Sequence, residues 1–149
     1  MERHGYCYEE KNITSANFFD WNDYHMDYVV IDGEAGIEQI NRRVMENITY
    51  LVLVSDGSKK GIQVISVIED VAKKLTNYKK SGVIFNRTRG SFDAASVSDI
   101  PVMLSVIGDD ENQAENDMQG ESVFNLPVDS PLYKGAEKAL RLLLEGECL

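Results

Sequence analysis

The sequence of 149 residues predicts a single α/β domain with a mostly parallel sheet and helices on both faces. Three observations support this prediction. Short continuous apolar runs are typical of strands buried on both faces, the segments between them have helical spacing, and the two kinds of segment alternate. No repeat, low-complexity tract or Pro-rich linker indicates a boundary, so we expect residues 1–149 to form one domain.

Each predicted strand is an apolar run that ends at a polar residue or a glycine. The runs are Tyr28–Ile31, Tyr50–Val54, Gly82–Phe85 and Pro101–Ile107. The carboxyl ends of parallel strands meet at one edge of a sheet, and α/β proteins bind ligands there. The residues that we expect at this edge are Asp32, Asp56, Asn86 and Asp109.

Apolar residues at steps of three and four predict amphipathic helices within residues 37–48, 62–75 and 136–144. The last helix follows Ser130-Pro131, which is a typical helix start with Pro in the first turn. The acidic stretch from Asp109 to Asp117 is interpreted as a solvated helix face rather than a cation site.

Composition excludes several function classes. The chain has 15 Lys and Arg against 25 Asp and Glu, a net charge of -10, which repels nucleic-acid phosphates and anionic lipid. No apolar run approaches the ~20 residues that span a bilayer, and Met1 to Glu10 lacks the apolar region of a secretory signal. We therefore expect a cytoplasmic protein without nucleic-acid or membrane partners, in which Cys7 and Cys148 are free thiols.

The segment Asp32-Gly33-Glu34-Ala35-Gly36 places a carboxylate four residues before a glycine. A carboxylate can hold the water shell of Mg²⁺, and a glycine lets a backbone N–H approach a terminal phosphate. The alternative is a polar strand end followed by a glycine turn. Spacing alone favours this alternative, because short motifs often match by chance.

Five segments, in order along the chain, together resemble one family of proteins. They are Asp32–Ile40, Val54–Ser58 with Gly61, Val83–Arg87, Gly108–Asp110, and Asn125–Pro127 with Ser130-Pro131. This set resembles the nickel-insertion accessory ATPases of carbon monoxide dehydrogenase, which group with MinD and the nitrogenase iron protein. The resemblance covers roughly Tyr28 to Leu144 and departs from the family at Gly57, where the family tends to have Pro. It implies a truncated P-loop NTPase (SIMIBI/MinD-like) fold, namely the carboxy-terminal two-thirds of a MinD-like nucleotide-binding domain.

The resemblance also implies a role for individual residues, with ATP or ADP and Mg²⁺ as the cofactors. Asp32 is the implied catalytic residue, near Mg²⁺ and the attacking water. The implied nucleotide-binding residues are Glu34, Gly36, Asn86, Arg87, Leu126, Pro127 and Val128. Among them, Gly36 senses the terminal phosphate, Asn86 hydrogen-bonds the adenine edge, and residues 126–128 flank the base. Without the resemblance, Asn86 is better interpreted as a strand-end residue that caps its own turn.

Relatives carry a C-x-C pair with which two subunits hold a metal ion, and Cys7-Tyr8-Glu9 occupies the matching place. The resemblance thus implies a homodimer and a nickel or zinc site at Cys7. Because Glu9 replaces the second Cys, the ligand set is harder and weaker than two thiolates.

The phosphate-binding loop G-x-x-x-x-G-K-[ST] does not occur in the sequence. Its backbone N–H groups and Lys supply most of the binding energy for phosphates, so we expect poor ATP hydrolysis by this chain alone and leave enzyme activity open. Three explanations remain: a piece of a longer protein, a degenerate paralogue, or a chain completed by a strand from a partner.

Two functions follow as hypotheses. The first is an ATP-binding, metallochaperone-type accessory protein for nickel insertion into carbon monoxide dehydrogenase or a related metalloenzyme, or the carboxy-terminal portion of such a protein. The alternative is a non-catalytic interaction module without a P-loop that docks on a related ATPase or metalloenzyme. A receiver-like or flavodoxin-like domain ranks last, because residues 100–109 supply no Lys after the last strand.

Overall fold

The computed structural model of the chain describes residues 27–33, 47–90, 92, 97 and 100–144. These residues belong to two compact units, Met1–Gly33 and Glu34–Leu149, which are described separately. The single domain expected from the sequence stays a prediction.

The second unit contains a parallel sheet of three strands in the order β1-β2-β3. In chain order, the elements are β1 (Tyr50–Ser55), α1 (Lys59–Leu75), β2 (Lys80–Thr88), β3 (Val102–Gly108), α2 (Glu111–Gln119), a 3-10 turn (Val123–Asn125) and α3 (Pro131–Leu144). The α/β class and the parallel sheet are therefore confirmed, as are the predicted strands at β1, β2 and β3 and the helices at α1 and α3.

Helix α1 covers one face of the sheet. Ile65 of α1 packs with Leu53 of β1 and with Val83 and Phe85 of β2, and all four are buried. Val83 and Phe85 are two residues apart, so their side chains point to the same face. Burial of one such side chain contributes about 1.5–3 kcal/mol to folding.

Helix α3 covers the opposite face. Ala139 and Leu143 pack against Leu104 of β3, and Tyr50 and Ile84 border this cluster. The helix comes close to β3 at Gly135, where an added Cβ would lie 2.6 Å from Cδ1 of Ile107. Helices therefore lie on both faces, as the sequence predicts.

The prediction of a strand at Tyr28–Ile31 is wrong. These residues form no secondary structure, and Val30 is 91% exposed. A strand needs a neighbour that pairs with its backbone N–H and C=O groups, and a short apolar run carries no information about whether such a neighbour exists.

The helix predicted within residues 37–48 lies outside the described residues, except for its last two positions. Neither Asn47 nor Ile48 is helical, so the predicted end of this helix is wrong. Asn47 instead forms an isolated parallel bridge with Asn77, and Nδ2 of Asn77 donates a hydrogen bond to Oδ1 of Asn47 at 3.1 Å.

Candidate functional site

The carboxyl ends of the three strands form one edge of the sheet, which we call the carboxyl edge. The register pairs Ser55 with Phe85 and Thr88 with Gly108, so β2 runs three residues beyond the end of β1 and ends beside β3. Asp56 and Asp109 directly follow β1 and β3, as the sequence predicts, whereas Asn86 lies inside β2, two residues before its end. Of the four residues expected at the edge, Asp32 alone belongs to the other unit.

The loop from β1 to α1 is organised by Asp56. Its Oδ1 accepts hydrogen bonds from the hydroxyl of Ser58 at 2.6 Å and from the backbone N–H of Ser58 at 3.1 Å. These bonds, the hydroxyl first, lower the pKa of Asp56 below its usual value. In turn, Oγ of Ser58 accepts from the N–H of Gly61 at 3.0 Å and caps the start of α1.

Two glycines give this loop its close packing. A Cβ at Gly57 would lie 2.6 Å from the ring of Phe92, which packs on Phe85 with 4.7 Å between ring centroids and an angle of 48° between the rings. The Cβ of a Pro at this position would meet the same ring. A Cβ at Gly61 would lie 2.5 Å from Oδ1 of Asp56 and disrupt the capped turn.

The end of β2 contains a strained residue. Arg87 has a φ of 55° in the left-handed region, and the pairing with β3 shifts register between Phe85 and Thr88. This conformation costs a non-glycine residue about 1–2 kcal/mol. Regular structure resumes at Thr88, whose hydroxyl donates to the carbonyl of Ile107 at 3.0 Å. Strain of this kind is concentrated at functional sites in proteins.

Asn86 stabilises the strained turn, because its Oδ1 accepts a hydrogen bond from the backbone N–H of Arg87 at 2.9 Å. The bond goes to the next residue of β2, so the cap beyond the strand end that the sequence favours in the absence of any family resemblance is not formed. The carbonyl oxygen keeps a second lone pair and the amide group keeps two N–H donors. The side chain can therefore make this bond and still hydrogen-bond a ligand.

Asp110 joins β3 to both of the helices that follow it. It is 7% exposed, its Oδ1 accepts from the N–H groups of Asn112 at 3.0 Å and Gln113 at 3.3 Å, and its Oδ2 accepts from the N–H of Leu132 at 3.0 Å. Burial raises the pKa of this carboxyl. The hydrogen bonds from Leu132, Gln113, Ser130 and Asn112 outweigh burial and hold the pKa below its usual value.

The burial of Asp110 corrects the interpretation of residues 109–117 as a fully solvated face. An Asp directly before a helix is a typical N-cap, and this signal identifies the residue from sequence. Its neighbour Asp109 is exposed and accepts a hydrogen bond from Nε of Arg89 at 3.0 Å. No local signal predicts the contact of Phe92 with Gly57, because it joins residues that are far apart in the sequence.

The segment that the resemblance places beside a nucleotide base lies between α2 and α3. Leu126 is buried, whereas Pro127 and Val128 are exposed. The N–H of Leu126 donates to the carbonyl of Val123 at 3.2 Å, and the N–H of Ser130 donates to the carbonyl of Pro127 at 3.0 Å. The loop is thus anchored at Leu126 and presents Pro127 and Val128 to solvent.

The structure brings some of the predicted site residues into one unit. Asn86, Arg87, Leu126, Pro127 and Val128 all belong to Glu34–Leu149. Asp32 lies in the other unit, exposed and without a strand before it, while Cys7, Glu34 and Gly36 lie outside the described residues. A shared pocket for Asp32, Gly36 and Asn86 stays a prediction.

No group of three or more His, Cys, Asp or Glu side chains among the described residues is placed to hold a metal ion. None of the helices in the same residues is both long and apolar enough to cross a membrane.

The fold and the carboxyl edge define a parallel α/β unit of the kind that binds ligands at its strand ends. The chain is similar to an uncharacterized ATP-binding protein of Methanocaldococcus jannaschii, with 28% identity over 137 residues. The match covers 89% of this chain and 54% of the relative, so the chain spans about half the length of that protein. No family model matches the chain, and no solved structure matches it.

Proposed function

We propose that the chain binds an adenine nucleotide at the carboxyl edge, with the base beside Asn86 and the loop at residues 126–128. The observation that carries this proposal is the strained residue Arg87, whose backbone N–H holds the Asn86 amide near the carboxyl end of the central strand β2. The similarity to an ATP-binding protein supports the same function.

Asn86 suits the recognition of adenine because the edge of this base offers both a donor and an acceptor. The amide matches this pattern with its N–H group and its second oxygen lone pair. Loss of one or two such hydrogen bonds weakens the free energy of binding by roughly 0.5–3 kcal/mol. Guanine presents an acceptor where adenine presents its exocyclic donor, and the amide cannot satisfy it in the same pose.

The absence of a phosphate-binding loop sequence in this chain has a consequence for affinity. In this chain, contacts with the adenine base should supply most of the free energy of nucleotide binding, and contacts with the phosphates should supply little. Adenosine should therefore bind this chain within about tenfold of ADP, a difference of about 1.4 kcal/mol. Proteins with a complete phosphate loop gain much more from the phosphates.

Calorimetric titration with adenosine, ADP, ATP and GTP tests the proposal. The expected result is binding of all three adenine compounds and no binding of GTP at the same concentrations. Asn86→Ala should weaken ADP binding by about tenfold. The matched control is Asn77→Ala, which removes an exposed amide at the opposite edge of the sheet and should leave binding unchanged. Equal binding of GTP, or equal effects of the two variants, would refute the proposal.

Within this function, we propose the narrower role of an accessory protein for nickel insertion into carbon monoxide dehydrogenase or a related metalloenzyme. The ordered resemblance from Asp32 to Pro131 supports it. A dimer that holds Ni²⁺ or Zn²⁺ through Cys7, with Asp32 near Mg²⁺ and the attacking water, belongs to the same proposal. Equilibrium dialysis against Ni²⁺ and Zn²⁺ tests the metal site, since Cys7→Ser should abolish binding while Cys148→Ser should not.

A further inference from the structure

The segment between β3 and α3 exposes three large apolar side chains within seven positions of the sequence. Phe124 is 93% exposed, Met118 is 82% exposed and Val123 is 53% exposed. Acidic residues surround them in sequence: Glu111, Glu115, Asp117 and Glu121. We call these seven residues the acidic-apolar surface.

Hydrogen bonds hold the parts of this surface next to each other. The chain reverses at Gly120, which has a φ of 68°, and the N–H of Glu121 donates to the carbonyl of Asn116 at 2.9 Å. Nδ2 of Asn116 lies 3.5 Å from the carbonyl of Ser122, and the hydroxyl of Ser122 accepts from the N–H of Phe124 at 3.3 Å. The 3-10 turn therefore lies against the last turn of α2.

The apolar side chains of this surface contribute little to folding. Helix α2 has no buried residue, and its ends are fixed by the Asp110 cap and by Gly120. Single exposed apolar residues are common on protein surfaces, but three in seven consecutive positions form a patch of the kind that marks interaction sites. A Phe that is almost fully exposed gains free energy when a partner covers it.

The charge around the patch indicates the chemistry of that partner. No Lys or Arg occurs between Arg89 and Lys134, whereas the stretch from Asp109 to Asp129 contains seven acids: Asp109, Asp110, Glu111, Glu115, Asp117, Glu121 and Asp129. Such a surface repels nucleic acid, anionic lipid and a second copy of itself. It attracts a segment that carries both positive charge and apolar side chains.

We propose that the acidic-apolar surface docks a basic, apolar segment of a partner protein. Phe124 and Met118 contact the apolar side chains of that segment, and the surrounding carboxylates face its Lys and Arg residues. Aromatic residues at the centre of an interface contribute most of the binding energy, while charges at its rim affect association rate and salt dependence. The surface borders the proposed nucleotide site, because Oδ2 of Asp117 lies 4.0 Å from Nη2 of Arg87. Phe124 and Met118 are not among the residues proposed to bind the nucleotide, so the two proposals are tested separately.

The test uses the full chain and a fluorescein-labelled peptide of about 15 residues with Leu and Lys at helical spacing. Fluorescence anisotropy should show binding that weakens as salt is added. Phe124→Ser and Met118→Ser should each weaken it by about tenfold, as expected for central apolar contacts. Glu121→Gln should weaken it less and reduce its salt dependence.

Controls separate this surface from general attraction to an acidic protein. Leu140→Ser changes a half-exposed apolar residue on α3 and should leave binding unchanged. A peptide with Glu in place of Lys, and one with Ser in place of Leu, should not bind. Circular dichroism checks that each variant is folded.

Three results would overturn the proposal. The first is equal binding by Phe124→Ser and the unaltered chain. The second is equal binding of the Ser-substituted peptide, which would show that charge alone is responsible. The third is a dimer of the chain, seen by sedimentation, that Phe124→Ser dissociates, because the surface would then be a self-interface.

Discussion

Asp110 accepts a hydrogen bond from the backbone N–H of Leu132 at 3.0 Å, which ties the end of β3 to the start of α3. The same carboxylate caps α2 through Asn112 and Gln113. One buried side chain therefore fixes both ends of the segment that carries Leu126 and Phe124. This segment contains the proposed base-flanking loop and the acidic-apolar surface.

Asp110→Ala should lower the free energy of unfolding by about 2–3 kcal/mol, because three backbone N–H groups lose their acceptor near the ends of two helices. Urea denaturation followed by circular dichroism measures this change. Asp109→Ala is the control: it removes an exposed carboxylate from an exposed ion pair with Arg89 and should cost less than about 1 kcal/mol. Equal losses in the two variants would contradict the role of Asp110.

Acid should destabilise the protein partly through Asp110. Its pKa is lower in the folded state than the ordinary value of 3.8, so the unfolded chain takes up a proton first as the pH falls. The stabilisation is present above the unfolded pKa and is lost as the pH falls through the folded pKa. Urea midpoints between neutral pH and pH 3 measure the loss. The Asp110→Asn variant should lose less stability over this range, and an identical pH profile would disprove the assignment.

Gly57→Ala should destabilise the β1–α1 loop by about 1–3 kcal/mol, since the new methyl group meets the ring of Phe92. Phe92→Leu is itself destabilising, because it removes the tilted ring contact with Phe85. Gly57→Ala should therefore lower the free energy of unfolding less when Phe92 is already Leu than in the unaltered chain. A double-mutant cycle measures this coupling. Strictly additive losses would show that the ring of Phe92 is not what makes a larger residue at position 57 destabilising.

Arg87→Gly separates backbone strain from ligand binding. A glycine relieves the left-handed conformation but loses more entropy on folding, so stability should stay constant or rise by up to about 1 kcal/mol. Arg89→Gly is the control, because Arg89 has no positive φ and should lose stability on substitution. Thermal unfolding measures both. If the side chain of Arg87 contacts the nucleotide, Arg87→Gly should bind ADP more weakly although its stability is not lower.

The sequence predicts those parts of the fold that depend on local pattern. Continuous apolar runs identify β1, β2 and β3, but burial on both faces, which such runs predict, is wrong for β1 and β3, where Val54 is 62% and Val102 is 69% exposed. Helical spacing identifies α1 and α3 in the same way. The run at Tyr28–Ile31 has the same composition as a buried strand, but pairing depends on a neighbour that composition does not specify. Register shifts, such as the one at Arg87, likewise depend on the adjacent strand.

The candidate site is predictable only in part. Asp56, Asn86 and Asp109 follow apolar runs, so their places at the carboxyl edge follow from the topology of parallel sheets. The packing of Phe92 against Gly57 depends on tertiary contacts and has no counterpart in local sequence. Whether Asp32 and Gly36 reach the same edge stays a prediction.

The most direct test of the central claim is to locate ADP on the protein by nuclear magnetic resonance. Titration of the ¹⁵N-labelled chain should shift the side-chain amide of Asn86 and the backbone amides of Arg87 and Val128, and should leave those of Asn77 and Tyr78 unchanged. Shifts confined to Asn77 and Tyr78, or no shifts at millimolar ADP, would contradict nucleotide binding at the carboxyl edge.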